Sequence, residues 1–453
     1  MPATRDIVFT LLQNLGSRRE IQRYLEEFSS VAQTKFAVVK VGGGIVKHQL
    51  DELAAALSFL HSMGLHPVVV HGAGSQLDDA LEKAGIDTER IDGLRVTTPQ
   101  VLKIARKVFQ QVNLDVVDAL EARGTRARPI NAGVFEAQLS DERLGLVGEV
   151  HNVHVDVIEA TIAAGQMPIL TSLGETPGGQ ILNVNADTAA RALAWAIQPY
   201  KVVFLTPAGG LRDARGHLID AINMVEDYDI LLKEPWVQGG MRLKLMEIKQ
   251  LLDPLPESSS VSITSPEHLA KELFTHRGSG TLIRKGEVIR RADRFEDTQM
   301  SRLRELIEHA FSRPLSADYF EQKVPHSIYL VDSYRAAAIV TLEGEVPYLD
   351  KFAVTRAAQG AGIGASLWRS IRADHPALFW RARIDNPINP WYFDKADGGV
   401  RKSPWVVFWY GLDGFAQIAE CVERAQVLSP TLGTGGIAEE NNNESSSVSP
   451  AKK

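Results

Sequence analysis

The sequence predicts an α/β protein: an open sandwich with a mostly parallel sheet, followed by a second, α+β domain. Three observations carry this. From Phe36 to about Ile283, apolar β-branched runs alternate with amphipathic helical stretches, the pattern of parallel strands joined by crossover helices. Glycine-rich turns follow the strand ends, at Gly42–Gly44 and at Gly72 and Gly74. After a charged stretch at 285–299 a separate set of strands begins, and one of them, Tyr348–Thr355, runs through a glycine-rich turn into a helix.

The 453 residues suffice for about two to four domains. A 44% hydrophobic and 23% charged composition is that of a soluble chain with a sizeable core. A net charge of -7 offers no general attraction for nucleic acid or an anionic membrane, so neither is expected as a partner. The single cysteine, Cys421, excludes an intramolecular disulfide and fits a reducing compartment. No apolar run approaches the roughly 18 residues of a membrane span. The early acids Asp6, Glu20, Glu26 and Glu27 argue against a transit peptide. The expected location is cytoplasmic, or the mitochondrial matrix in a eukaryote.

Residues 1–34 are expected to be a helical segment, because Ile7, Leu11, Leu12, Leu15, Ile21, Leu25 and Phe28 recur at helical spacing. A first domain covers 35–284. It opens with FAVVKVGGG (Phe36–Gly44), a buried strand with Lys40 two residues before a glycine turn. Burying an unpaired ammonium is costly, so Lys40 either has an anion to meet or snorkels to solvent from the strand edge beside a structural turn. Helix 49–63, strand 66–70, the turn His71-Gly72-Ala73-Gly74 and helix 75–84 follow. Further strands are expected at 167–172, 201–206 and 259–264, with helices near 99–122, 154–164, 186–197 and 240–252. Short β-like pieces at 130–152 suggest a hairpin over the site.

Two later loops carry charge. Asn183-Val184-Asn185-Ala186-Asp187 precedes a helix, where one such residue would serve as cap but three stand on alternating positions. Gly239-Gly240-Met241-Arg242-Leu243-Lys244 opens another helix, with Lys244 about one turn in. The crevice beyond the strand ends is the expected ligand site.

Together KVGGG, HGAG, GLRVT (Gly93–Thr97), NVNAD and GGMRLK, in this order over about 250 residues, resemble the amino acid kinase fold, specifically N-acetylglutamate kinases. The resemblance implies phosphorylation of N-acetyl-L-glutamate by ATP with Mg2+, and no metal site of the protein's own. It implies that Lys40 and Lys244 neutralise the transferring phosphoryl group while Asp187 holds both lysines. It further implies that Gly42, Gly43, Gly44, Gly72 and Gly74 donate backbone N–H groups, with Gly42–Gly44 and the two lysines on ATP. Arg95 would clamp a substrate carboxylate, with Asn183 and Asn185 nearby. Ala73 departs from the pattern, since many members carry glycine there. The segment ELFTHRGSGT (Glu272–Thr281) resembles part of the arginine-inhibition site of arginine-sensitive members. That implies L-arginine as effector, with Glu272, Gly278 and Gly280 at its site and the 5–30 helix beside it.

Residues 285–299 are charged and aperiodic, and are expected to be a linker. The second domain, 300–428, holds YLDKFAVT and then Gln359-Gly360-Ala361-Gly362-Ile363-Gly364 before a helix. This strand–turn–helix arrangement is a pyrophosphate cradle. QGAGIG resembles the acetyl-CoA loop of the GCN5-related N-acetyltransferases, which places Gln359, Gly360, Gly362 and Gly364 on acetyl-CoA. The run RARIDNPINPWYF (Arg381–Phe393) resembles the acetyltransferase domain of vertebrate-type and fungal N-acetylglutamate synthases. By that resemblance Lys351 and Arg381 hold the carboxylates of L-glutamate, and Asn386 and Tyr392 assist acetyl transfer. Residues 429–453, rich in Ser, Asn, Gly and Glu, are expected to be disordered.

The expectation is a homo-oligomer, a tetramer, that makes N-acetyl-L-glutamate and then phosphorylates it. The alternative is a synthase whose kinase-like domain only senses arginine.

Overall fold

The computed structural model describes residues 35–274, 279–355, 358 and 362–433. The expected helix over 5–30, Gly278, Gln359 and Gly360 lie outside the described residues. The chain divides into two compact units, one ending at Gly286 and the other beginning at Glu287.

The first unit is built on an eight-stranded sheet. In spatial order its strands are Ala221–Asn223, Thr281–Arg284, Ser260–Thr264, Lys201–Leu205, Ala37–Val41, Val68–His71, Met167–Thr171 and Ala127–Ile130. Neighbours run parallel except for the antiparallel pair Ser260–Thr264 and Thr281–Arg284. Ala37–Val41 is central because alternate residues bury on both faces. Val39 and Val41 join the core under the helix Leu50–Ser62, while Val38 joins the core under the helix Ala186–Ile197. Each such buried side chain contributes about 2 kcal/mol of hydrophobic stabilisation. Lys40, two residues from Val38, shares its face and so points toward the helix that starts at Ala186.

The expected excursion at 130–152 is more than a hairpin. Phe135–Leu139 and Val147–Val153 pair antiparallel, and Leu173–Glu175 and Ile181–Val184 close them into a small barrel. Closure depends on glycine. A Cβ on Gly148 would stand 2.8 Å from the Leu182 Cβ, and one on Gly174 2.8 Å from the Ala137 Cβ. The GLRVT segment is tied to this barrel, since Thr97 N donates to Leu144 O at 2.9 Å and Leu146 N to Thr97 O at 2.8 Å.

The second unit is a seven-stranded sheet in the order Ile289–Ala292, Pro325–Val331, Ala336–Leu342, Pro347–Val354, Leu378–Arg383, Trp405–Tyr410, Gly398–Lys402. Its parallel pair, Pro347–Val354 with Leu378–Arg383, is joined only at Tyr348/Phe379 and Leu349/Trp380. Beyond that point the two strands part. The stretch expected to be a linker is partly sheet: Ile289–Ala292 pairs antiparallel with Pro325–Val331. Its alternation was hidden because it is an edge strand carrying Arg290 and Arg291. The expected tail also begins later than Ser429. Ser316 N donates to Thr431 O at 3.0 Å and Gly433 N to Pro314 O at 2.9 Å, so residues up to Gly433 are held against the domain.

Candidate active sites

In the first unit the site forms where loops leave the sheet's carboxyl ends. Where a glycine turn is expected over Gly42–Gly44, Gly42 instead caps a short helix, Gly43–His48. Gly43 has to be glycine: a Cβ there would stand 2.7 Å from Gln76 Oε1 and 3.0 Å from Gly74 N, so the two glycine turns pack directly together. Gln76 Nε2 binds Gly43 O at 2.9 Å and locks them. Gly42, Gly44 and Gly74 face open space. Gly72 differs from expectation, because its N–H donates to Val41 O at 3.0 Å. Ala73 fits without strain. Its φ of -134° is ordinary backbone and its side chain is buried.

Three charged side chains from distant parts of the chain meet there. Lys40 Nζ stands 3.0 Å from Asp187 Oδ1, and Lys244 Nζ 3.6 Å from the same oxygen. Lys244 also lies over the Phe204 ring, 4.4 Å from its centroid. Burial would raise the Asp187 carboxyl, but the two ammonium groups outweigh it and hold the group below its usual range. Burial pulls the Lys244 ammonium below its ordinary value, against the attraction of Asp187. Glu247, one turn along the same helix, is pushed up by burial and by the Asp187 charge. One carboxylate between two ammonium groups leaves a positive excess. That is what a transferring phosphoryl group requires.

The asparagine cluster splits its duties. Asn185 is the helix cap, its Oδ1 accepting from Asp187 N at 2.8 Å and Thr188 N at 3.4 Å. Asn183 Nδ2 donates to Thr97 Oγ1 at 3.1 Å, which binds the GLRVT segment to the strand before the cap. Arg95 is buried and already partnered. Its Nη1 donates to Thr88 Oγ1 at 2.7 Å and its Nη2 to Asp78. Glu272 is buried too, and its Oε2 accepts from Ser279 N and Gly280 N at 2.9 Å each.

In the second unit the sequence-predicted residues divide between two faces. Tyr392 packs on one face among Phe352, Trp368, Trp380 and Phe408, with the Trp380 centroid 5.6 Å away. Burial raises its phenol well above the ordinary value, so it stays protonated. Arg381 follows Trp380 and projects to the opposite face. It does not present a free guanidinium. Nη1 donates to Ala425 O at 2.6 Å and Leu428 O at 2.8 Å, capping the helix Phe415–Val427, and the group stacks on Trp405 at 4.2 Å. Lys351 is on the same face and is likewise engaged, with Asp350 Oδ2 at 2.7 Å and Thr431 Oγ1 at 2.6 Å. Asn386 Oδ1 accepts from Ile388 N at 3.2 Å in a turn ahead of the helix Asn389–Lys395. Gly362, at φ +76°, starts the helix Ile363–Asp374, and Gly364 lies in its first turn. Gly364 lies against Val354 and Phe352, beyond the point where the parallel strands are joined.

Residues 35–254 match the amino acid kinase family, and residues 289–427 match the N-acetyltransferase of N-acetylglutamate synthase. An acetylglutamate kinase from Xanthomonas campestris pv. campestris is 51% identical over 424 residues, covering 92% of this chain and all of that one. The chain belongs to the acetylglutamate kinase family. The mitochondrial protein arg-6 of Neurospora crassa is 42% identical over 93% of this chain and 49% of its own length. Human mitochondrial N-acetylglutamate synthase is 33% identical over 94% of this chain and 78% of its own. In fold the chain is similar to the N-acetylglutamate synthase of Neisseria gonorrhoeae, at a TM-score of 0.57 and 20% identity over 86% of this chain and 97% of that one.

Among the described residues no helix is long and apolar enough to cross a membrane, and no group of three or more metal-ligating His, Cys, Asp or Glu side chains occurs. For this acetylglutamate kinase relative, the sequence reading missed Asp78, Glu247, Asp350 and Thr431. Asp350 carried a signal, as an acid beside a lysine in an otherwise apolar strand. Asp78, Glu247 and Thr431 carried none, because only the fold brings them to their partners.

Proposed function

We propose that this chain is a bifunctional enzyme of arginine biosynthesis, transferring acetyl from acetyl-CoA to L-glutamate and phosphorylating N-acetyl-L-glutamate with ATP. The observation that carries the kinase half is the Lys40–Asp187–Lys244 cluster. A domain that only sensed arginine would have no use for two ammonium groups held beside one carboxylate at the strand ends. The nucleotide enters as the Mg2+ complex, a substrate rather than a resident metal. A carboxylate nucleophile is already anionic, so the step needs positioning and charge neutralisation and no general base. In this reading Lys40 and Lys244 contact the transferring phosphoryl group, Asp187 holds them, the open turns at Gly42, Gly44 and Gly74 donate N–H groups, and Arg95 meets a substrate carboxylate beside Asn183.

For the synthase half, Gly362 and Gly364 at the helix start receive the coenzyme, with Gln359 and Gly360 in the same loop. Tyr392, protonated and buried, donates to the departing thiolate, and Asn386 orients the acceptor. Lys351 and Arg381 lie on the opposite face from Tyr392, so in this reading they hold glutamate carboxylates only when the substrate reaches between the parted strands and takes the places of Thr431 and the helix-end carbonyls. Arginine binding at Glu272 to Gly280, assembly into a homo-tetramer, and a cytoplasmic or matrix location complete the reading. The test is a paired assay on the purified chain: glutamate with acetyl-CoA, and separately N-acetylglutamate with MgATP. Acetylation without ADP formation would leave the sensor reading in its place.

A further inference from the structure

The Arg95 guanidinium is almost wholly buried, yet its partner Asp78 is half-exposed. Asp78 lies on the helix Gly74–Lys83, one turn beyond the glycine turn that faces the site. Arg90 Nη2 reaches both Asp78 oxygens at 3.3 Å. One carboxylate is therefore shared by two guanidinium groups, and the trio keeps one positive charge in excess. The Arg95 fork is planar and carries five N–H donors. Asp78 takes one from Nη2 and Thr88 one from Nη1, at 2.7 Å. Two contacts on different nitrogens fix the plane of the fork and so fix the direction in which its remaining donors point.

We propose that Asp78 is a positioning residue for phosphoryl transfer: it holds Arg95 in the one orientation that receives a carboxylate of N-acetylglutamate. The inference rests on the proposed role of Arg95. It gives the helix after the HGAG turn a second duty, since the element that starts at the phosphate-facing turn also aims the substrate clamp. Gln76 ties one side of that helix to the Gly42–Gly44 turn, and Asp78 ties another side to Arg95. The substrate clamp and the phosphate-facing turn are thereby held by one helix, so the clamp is set before the substrate arrives and its loss is read in KM.

Steady-state kinase kinetics on the full chain test this with Asp78→Asn, Arg95→Ala and the double variant. Asp78→Asn is expected to raise KM for N-acetylglutamate about tenfold, with kcat and KM for MgATP within about twofold. Arg95→Ala should raise KM at least as far, and the double variant no further than Arg95→Ala alone, because Asp78 acts through Arg95. Additive effects, or an Asp78→Asn enzyme with wild-type KM beside an impaired Arg95→Ala, would overturn the role of Asp78 alone. A loss in Asp78→Asn shared by kcat and both KM values would reduce it to a structural residue. An unchanged KM in Arg95→Ala would instead remove the reading of Arg95 on which the inference stands.

Discussion

Lys40 Nζ stands 3.0 Å from Asp187 Oδ1, joining the first strand of the sheet to the start of a helix far along the chain. Lys244 meets the same oxygen from a third element. The arrangement is complete before any ligand arrives, so its charge need not be gathered during the reaction. Removing one member should therefore cost turnover more than binding. Lys244→Ala is expected to lower kinase kcat by about 10²–10³, the scale of one preorganised charge stabiliser. Synthase turnover, measured on the same preparation, should be unchanged.

The phenol of Tyr392 can be tested apart from its ring. Its packing against Trp380 and Phe352 is apolar, so Tyr392→Phe keeps the core and deletes only the hydroxyl. If that hydroxyl protonates the departing thiolate, synthase kcat should fall by roughly 10²–10⁴ with KM for acetyl-CoA little changed. Thermal unfolding of the variant should match wild type, and a wild-type kcat would remove the phenol from the chemistry.

Gly280 lies where the chain passes close over the sheet. A Cβ there would stand 2.1 Å from Ile263 O and 3.0 Å from Thr264 Cβ, both parts of the strand end. Gly280→Ala must therefore lift the loop from Glu272, whose carboxylate binds the N–H groups of Ser279 and Gly280. We expect a loss of about 1–3 kcal/mol in stability, measured by denaturant unfolding. Arginine titration of synthase activity should shift to higher concentration in the same variant.

The buried His71 predicts a pH dependence. Desolvation lowers its imidazole from 6.5 to about 4. Below about 6.5 the unfolded chain takes up a proton that the folded one refuses, so this group makes stability fall as pH drops toward 4 and rise as pH increases. Its slope is at most about 1.4 kcal/mol per pH unit. Urea unfolding of wild type and His71→Gln at about pH 7 and about pH 5 should show a flatter dependence in the variant.

Much of this was legible because the first sheet is parallel and buried on both faces. Runs such as Val68–Val70 and Val202–Leu205 are continuous apolar strands that name themselves. Lys40, Asp187 and Lys244 stood out because each broke such a pattern beside a glycine or cap. Short edge pieces did not. Ala221–Asn223 and Ile289–Ala292 have too few residues, or too many charges, to display a period. The capping role of Asn185 was visible as a possibility, whereas Asn183 serving Thr97 depends on the barrel closing. Arg381 reads in sequence as a cation for a glutamate carboxylate, and only the fold shows the carbonyls of the returning helix Phe415–Val427 that it already meets.

Opposite Ile339 and Val340 the ladder jumps from Lys351 to Leu349, leaving Asp350 as an extra residue. The two-residue rhythm of that strand is therefore reset in its middle. Leu349 and Phe352, three apart, share one core, while Asp350 and Lys351, adjacent, turn to the same side and pair. Deleting Asp350 would remove the bulge and restore plain alternation: Leu349 and Phe352 would keep the aromatic layer that holds Tyr392, and Lys351 would keep the other side without its carboxylate partner. A deletion further along the strand, at Phe352 for instance, would instead send every later residue to the wrong face. A relative one residue shorter within YLDKF therefore preserves both layers of its acetyltransferase domain when the gap falls on the Asp350–Lys351 pair.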